Sequence, residues 1–175
     1  YVGPQITFAD MAGLAGLGVK TIIVARPEGE DGDPPEISTI RNAAEDYDIV
    51  VHQIPVVPGC LTDDQVLTFG TIKSAVDHPV FAYCRSGTRS ATLWSLAMAK
   101  TLPIAHILGA TKAAGYDMNG VARRITNGGK TPTDTGDAAY EVVVVGAGAG
   151  GISVAASLKS RDPDLSIAVI DPADI

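Results

Sequence analysis

The chain has 175 residues, of which 46% are hydrophobic, and a formal net charge of −7 at pH 7. This length allows one domain with a substantial core and a smaller second piece, and the negative charge argues against a nucleic-acid partner. No apolar stretch is long enough to span a membrane and no signal sequence is visible, so we expect a cytoplasmic protein whose two cysteines form no disulfide framework.

Apolar periodicity predicts alternating helices and strands over the first 126 residues. Strands that are separated by helices form largely parallel sheets through crossover connections. The predicted fold class is therefore α/β, with a largely parallel sheet flanked by helices. Helices are expected over 8–17, 36–45, 63–75, 88–100, 104–114 and 118–125, and strands over 21–25, 49–54 and 79–83.

The most informative loop joins the strand over 79–83 to the helix over 88–100 and begins at Cys84. Backbone N–H groups at a helix start are unpaired and carry the positive end of the helix dipole, so such a loop can cradle an anion. A thiolate is one such anion, and Arg85 and Arg89 add positive charge beside it. The pattern favours Cys84 as a nucleophile over the alternative of a buried structural cysteine.

Three segments of the chain resemble a bacterial family, the phosphatase-like domain of beta-lactamase-hydrolase-like proteins; they are residues 25–30, 51–56 and 82–90, with Leu93 and Trp94 following. The resemblance covers residues 1–126 and implies the α/β fold of tyrosine phosphatases. Domains of this family are often labelled sulfur transferases. Four residues separate Cys84 from Arg89, as in the rhodanese loop, whereas tyrosine phosphatases have five, and this chain has Ser90 where their arginine would stand.

The length of this loop favours sulfur transfer over phosphate hydrolysis. A tetrahedral phosphate needs a wider ring of N–H donors than a single sulfane sulfur on the cysteine. We expect the loop amides and both arginines to stabilise the thiolate, and the serines to hydrogen-bond the sulfur. The predicted catalytic residues are Cys84, Arg85, Ser86, Gly87, Thr88, Arg89 and Ser90.

A phosphatase would also need a general acid to protonate the leaving group. The resemblance places that acid on the loop after the strand over 49–54, but residues 55–61 contain no carboxylate. Asp63 and Asp64 come next in a capping-box pattern, which places them in the first turn of a helix as complements to its dipole. Asp31 and Asp33 lie in an acidic, flexible-looking loop and are weaker candidates.

Cys60 is the second cysteine of the chain, and it lies on the loop that approaches the nucleophile in this fold. As a second thiol, it would accept sulfur from Cys84 or form a disulfide with it, and a persulfide relay of this kind needs no general acid. An incidental thiol without a catalytic role is the alternative.

A segment rich in Gly, Thr and Asp over 127–138 has no apolar period and is expected to be a linker. A strand over 140–145, a helix over 152–160 and a strand over 166–170 follow it. The glycine-rich turn between the first two matches the dinucleotide fingerprint, with an acidic residue about twenty positions further on. The predicted cofactor-binding residues are Gly146, Gly148, Gly151 and Asp171.

Residues 139–175 resemble the amino-terminal end of flavin-dependent disulfide oxidoreductases, among them the sulfide:quinone oxidoreductase type. The carboxylate of Asp171 argues against a ribose 2′-phosphate and leaves FAD or NAD. FAD is inferred because a sulfide-oxidising flavoenzyme generates the sulfane sulfur that a rhodanese-type loop carries. Since three elements cannot bury both faces of a parallel sheet, we expect a piece of a longer protein that, as given, binds FAD poorly or not at all.

The sequence therefore predicts a sulfurtransferase in which Cys84 carries a persulfide from a small donor and works with a flavin domain in the same chain. The alternatives are a cysteine phosphatase of the tyrosine or dual-specificity type, with a phosphocysteine intermediate, and an inactive anion-binding module that regulates or anchors the flavin domain. No cofactor is expected for residues 1–126, and the three histidines form no metal motif. The sequence leaves the oligomeric state open.

Overall fold

The computed structural model describes residues 1–32, 34–133, 140–146 and 148–170. The chain divides into two compact units, Tyr1–Pro132 and Thr133–Ile175, which are taken separately below. Within the described ranges, no helix combines the length and apolar character needed to cross a membrane. Asp33 and Asp171, both singled out from the sequence, lie outside the described residues.

A parallel four-stranded sheet forms the centre of the first unit. Its strands are β1 (Val2–Gly3), β2 (Thr21–Val24), β3 (Val50–Gln53) and β4 (Val80–Tyr83). The strand order is β1–β4–β2–β3, and all pairings are parallel, which confirms the predicted α/β class. The sequence does not predict β1, because two residues are too short for a periodic pattern; their pairing with Ala82 and Tyr83 of β4 defines that strand.

Helices connect these strands and pack against both faces of the sheet. They are α1 (Met11–Gly16), α2 (Ile37–Glu45), α3 (Asp63–Ala75), α4 (Thr88–Ala97), α5 (Ile104–Ala113) and α6 (Ala122–Thr126). Two of the predicted helices begin as 3-10 turns, Phe8–Asp10 before α1 and Asn119–Val121 before α6. Helix α4 ends three residues before its predicted end at residue 100.

The core is split by the sheet into two buried clusters. Successive side chains of a strand point to opposite faces, so neighbouring residues of β2 enter different clusters. Ile23 lies in the cluster that contains Leu93 of α4. Ile22 lies in the cluster that contains Met11 of α1 and Ile40 of α2. Ala82 and Tyr83 of β4 divide between the two clusters in the same way, so the loop that follows β4 begins at the carboxyl end of a strand covered on both faces.

The first unit extends further along the chain than the predicted boundary at residue 126. Gly129 has a φ of +83° and packs so closely on α4 that a Cβ there would collide with the carbonyl of Leu96. Two residues later, the backbone N–H of Thr131 donates to the carboxylate of Asp63 at 2.9 Å. Residues 127–132 are therefore anchored to the first unit. They belong to that unit and not to the linker predicted over 127–138.

The second unit has the predicted strand, helix and strand. These are β5 (Val142–Val145), α7 (Ala149–Arg161) and β6 (Ile167–Ile170), and the two strands pair in parallel. Helix α7 begins three residues before the predicted start at residue 152. Large apolar side chains of both strands remain exposed, with Val145 75% and Ile170 52% accessible.

Candidate active site

The loop between β4 and α4 adopts the strand-to-turn-to-helix path that the sequence predicts. We call residues 84–90 the Cys84 loop. Its sharpest point is Gly87, which precedes α4 with a φ of +96°, a conformation that disfavours any side chain. A Cβ at Gly87 would also collide with the hydroxyl of Tyr116, so glycine is required here for space as well as for backbone freedom.

The thiol of Cys84 lies inside this loop and has no solvent-exposed surface. The backbone N–H of Gly87 donates to the sulfur at 3.1 Å. Burial alone disfavours the thiolate, yet the pKa of Cys84 is lowered, because several backbone N–H groups of the loop converge on the sulfur. These donors belong to Ser90, Ser86, Gly87 and Arg89. The loop therefore solvates the thiolate with amides in place of water.

Arg89 brings a guanidinium to the same place. It donates to the carbonyl of Val56 at 2.7 Å and to the carboxylate of Glu30 at 2.8 Å. Burial opposes its charge, but the bonds to Glu30 and the neighbouring Cys84 sulfur raise the pKa of Arg89. A permanent positive charge thus lies beside the thiolate, and the carbonyl of Val56 and the carboxylate of Glu30 hold it in position.

Glu30 is the site residue that the sequence reasoning missed. Its carboxylate bridges Arg89 and Arg26, with the Arg26 Nε at 2.7 Å, and its own pKa is lowered first by the hydrogen bond from Arg89. Arg26, 5% exposed, also donates to the side chain of Gln5 and to the carbonyl of Asp31. The described part of the acidic loop is therefore tied to the site by two arginines, where the sequence suggests a flexible segment.

No local sequence pattern predicts that Glu30 pairs with both Arg26 and Arg89. The spacing of Arg26 and Glu30, four residues apart, is visible in the sequence, but the pairing of Glu30 with Arg89 spans 59 residues. A clue is the sequence around Pro27, in which an arginine follows a buried strand and two glutamates come next.

The remaining residues of the Cys84 loop differ in their exposure. Arg85 is exposed, and its predicted stabilisation of the thiolate stays a prediction. The hydroxyls of Ser86 and Thr88 are exposed and lie 3.1 Å from each other. Ser90 is fully buried, and its hydroxyl has no hydrogen-bond partner among the described residues.

Cys60 and the aspartates that follow it take up different positions. The thiol of Cys60 is exposed and not disulfide-bonded, so its participation stays a prediction. The predicted capping box at the start of α3 is confirmed by reciprocal hydrogen bonds between Thr62 and Gln65. Asp63 in the first turn binds Thr131 and Arg124, and these contacts, those of Thr131 foremost, lower its pKa. An ionised, fully engaged carboxylate is a poor proton donor.

The glycine-rich turn of the second unit is tight. Gly146 has a φ of +104°, and a Cβ at Gly151 would collide with the carbonyl of Gly146, so both positions require glycine. Gly148 precedes α7 and has open space around its Cα. The acidic residue of the fingerprint, Asp171, lies outside the described residues.

Comparison with curated proteins places the first unit among known relatives. The chain is 34% identical to a beta-lactamase hydrolase-like protein of Agrobacterium fabrum over 95 residues, which are 54% of this chain and 22% of that protein. A second such protein, from Xylella fastidiosa, is 28% identical over 83 residues, 47% of this chain and 19% of the relative. The chain thus spans about a fifth of the length of the curated relatives that it matches.

Solved structures are also similar to the first unit. A candidate phosphatase from Neisseria meningitidis is 34% identical, with a TM-score of 0.65 over 71% of this chain and 89% of that one. Kinase-associated phosphatase shares the fold at 13% identity, with a TM-score of 0.56 over 69% of this chain and 74% of the other. Residues 1–101 match the phosphatase-like domain of beta-lactamase hydrolase-like proteins. The chain belongs to this family.

Proposed function

We propose that the first unit is a cysteine-dependent phosphatase with Cys84 as its nucleophile. The observation that carries the proposal is the environment of the sulfur, which combines converging loop amides with the guanidinium of Arg89. Such a cradle stabilises both a thiolate and the charge on a transferring phosphoryl group. The family and its phosphatase neighbours support this reading over the sulfurtransferase that the loop length favours.

The chemistry proceeds in two displacements. The thiolate of Cys84 attacks the phosphorus of a phosphate ester, the bond from phosphorus to the leaving oxygen breaks, and a phosphocysteine forms. Water then attacks the phosphorus and returns the thiolate with release of inorganic phosphate. The loop amides and Arg89 bind the equatorial oxygens in both steps, while Glu30 holds Arg89 in position.

The source of the leaving-group proton limits the substrates. Residues 55–61 carry no carboxylate, and the lowered pKa of Glu30, set chiefly by its bond to Arg89, keeps that side chain ionised and unable to donate. A leaving group that departs without protonation must be a stable anion. We therefore expect activated phosphates, such as aryl phosphates with acidic phenols, to be much better substrates than alkyl phosphates.

Steady-state phosphate release tests this proposal. A series of aryl phosphates of decreasing phenol pKa should show steeply rising kcat/KM, β-glycerophosphate should react least, and Cys84→Ser should be inactive with every substrate. Cys60→Ser is the matched control and should keep the activity. Turnover by Cys84→Ser would refute the assignment of the nucleophile, and a flat dependence on the phenol pKa would show that a proton donor acts.

A sulfurtransferase remains the second candidate function. It is favoured by the four-residue spacing between Cys84 and Arg89, and by the exposed thiol of Cys60 on the loop whose Val56 carbonyl accepts from Arg89. In a thiosulfate and cyanide assay, this function predicts thiocyanate formation that Cys84→Ser abolishes. The phosphatase proposal expects phosphate turnover to exceed thiocyanate formation by a large factor.

For the second unit, we propose part of a dinucleotide-binding fold, with FAD as the cofactor. The obligatory glycines at 146 and 151 support this, since they form the tight turn and the close helix packing of the fingerprint. Gly148 directly precedes α7, and in this proposal it would let a pyrophosphate approach the start of that helix. Residues 139–175 alone should not retain FAD, and a yellow preparation with stoichiometric flavin would contradict that expectation.

A further inference from the structure

The first unit contains an open cavity of about 530 Å³ that the Cys84 loop does not line. It lies between β4 and the helices α3, α4 and α5. Most of its lining is apolar, including Phe69, Val80, Ala82, Ala91 and Trp94. Pockets of about 300–1,000 Å³ with apolar walls and a few polar groups are typical of small-ligand sites. This cavity has the size and the apolar walls of such a site.

A cation borders this apolar space. Lys73, which is half-buried, and His78, which is exposed, both line the cavity. Within the part of the chain that the structure describes, the ammonium of Lys73 forms no ion pair or hydrogen bond. An ammonium beside apolar walls is stabilised by an anionic partner that donates no proton but accepts one in a hydrogen bond. The charge complementarity therefore points to an anionic group on the occupant.

We propose that this cavity is a binding site for a medium-chain fatty acid or a similar small amphipathic carboxylate. The aliphatic tail would pack against Trp94, Phe69 and Val80, where burial of methylene groups is favourable. The carboxylate would pair with Lys73 at the rim, as a charge-assisted hydrogen bond. The volume of the cavity fits a small molecule of this kind.

Trp94 makes the site directly observable, because it is the sole tryptophan of the chain and lines the cavity. The test titrates the 175-residue protein with octanoate below its micellar concentration and follows tryptophan fluorescence. A saturable change is expected, and 1-octanol, which has the same tail without the charge, should bind about tenfold more weakly. Failure of octanoate to produce a saturable change would overturn the proposal.

Two kinds of variant test the charge of Lys73 and the space inside the cavity separately. Lys73→Met should weaken octanoate binding about tenfold and leave 1-octanol binding unchanged, whereas Lys112→Met, an exposed lysine of α5 outside the cavity, should change neither. Ala110→Phe, at an exposed cavity position on α5, should fill the space and abolish the fluorescence response while the circular dichroism stays native. Equal octanoate affinity in the native protein and in Lys73→Met would contradict the carboxylate site.

Discussion

At the scale of single residues, the site depends on whether the buried thiol of Cys84 is ionised. Desolvation of Cys84 by itself would keep the thiol protonated, and the amide donors of the loop reverse that outcome. The reversal requires several donors, because each hydrogen bond alone is weaker than the cost of burying an ion. The chemistry of Cys84 is therefore a property of the backbone around it.

The lowered pKa of Cys84 can be measured directly. An ordinary thiol ionises with a pKa of about 8.5, so the pKa of Cys84, whose amide donors outweigh the opposing burial, should lie below that value. The far-ultraviolet absorbance of the thiolate, titrated in the native protein minus Cys84→Ser, should rise below pH 8.5. A difference titration centred at or above that value would show that the amides do not stabilise the anion.

Glu30 provides a second residue-level prediction, on stability. The hydrogen bond from Arg89 foremost lowers its folded-state pKa, so its contribution is present above the unfolded pKa of about 4.3 and is lost as the pH falls through the folded value. Glu30→Gln should therefore be less stable than the native protein at pH 7, and the gap should narrow below about pH 4.

Urea unfolding at several pH values measures this gap. Glu45→Gln, an exposed carboxylate at the end of α2, is the matched control and should unfold like the native protein. A gap between the native protein and Glu30→Gln that stays constant down to pH 3 would show that the charge of Glu30 is not what stabilises the bridge.

At the scale of elements, the junction between β4 and α4 is where backbone geometry is most demanding. Gly87→Ala introduces a side chain at a positive φ, which costs roughly 1–2 kcal/mol, and a collision with Tyr116. Both effects should lower the free energy of unfolding and the activity. Adding Tyr116→Ala removes the collision alone, so comparison of the double variant with Tyr116→Ala should show the smaller, conformational loss.

Calorimetry and phosphate release measure the two effects on the same samples. Gly120→Ala is a suitable control, because no atom lies within 4 Å of the place that its added methyl group would occupy and its φ is not positive. Unchanged stability of Gly87→Ala would mean that the turn has an alternative conformation.

The start of α3 holds the end of the first unit. Asp63 accepts hydrogen bonds from Thr131 and from Arg124, and both partners lie more than 60 residues further along the chain. Asp63→Ala should cost about 1 kcal/mol of unfolding free energy, since its carboxylate is partly exposed. Asp64→Ala, its exposed neighbour in the same helical turn, should cost less. Equal losses in thermal unfolding would assign the effect to the helix dipole.

The elements also show which features of this fold are visible in the sequence. β-branched runs and capping patterns predict β2, β4 and α3, because those signals are local. Strand β1 escapes detection because it is defined by its partner in β4, 80 residues away. The same applies to the site: Cys84 and Gly87 follow from the strand-to-helix turn, whereas the bridge at Glu30 depends on tertiary packing.

At the scale of the whole molecule, the two units differ in how far their described strands are buried. The first unit has a sheet covered on both faces, with buried clusters on each side. In its described residues, the second unit has two strands and a helix, and apolar side chains of β5 and β6 are exposed there. The phosphatase proposal therefore rests on the first unit alone, and it does not require the dinucleotide proposal for the second.

The central claim is that Cys84 carries the phosphoryl group during turnover. Intact mass spectrometry of the protein, acid-quenched while it hydrolyses an activated aryl phosphate, tests this most directly. We expect a mass gain of one phosphoryl group that maps to Cys84 and is absent from Cys84→Ser. Turnover without this adduct, or a stable gain of one sulfur atom from thiosulfate in a protein that releases no phosphate, would contradict the account.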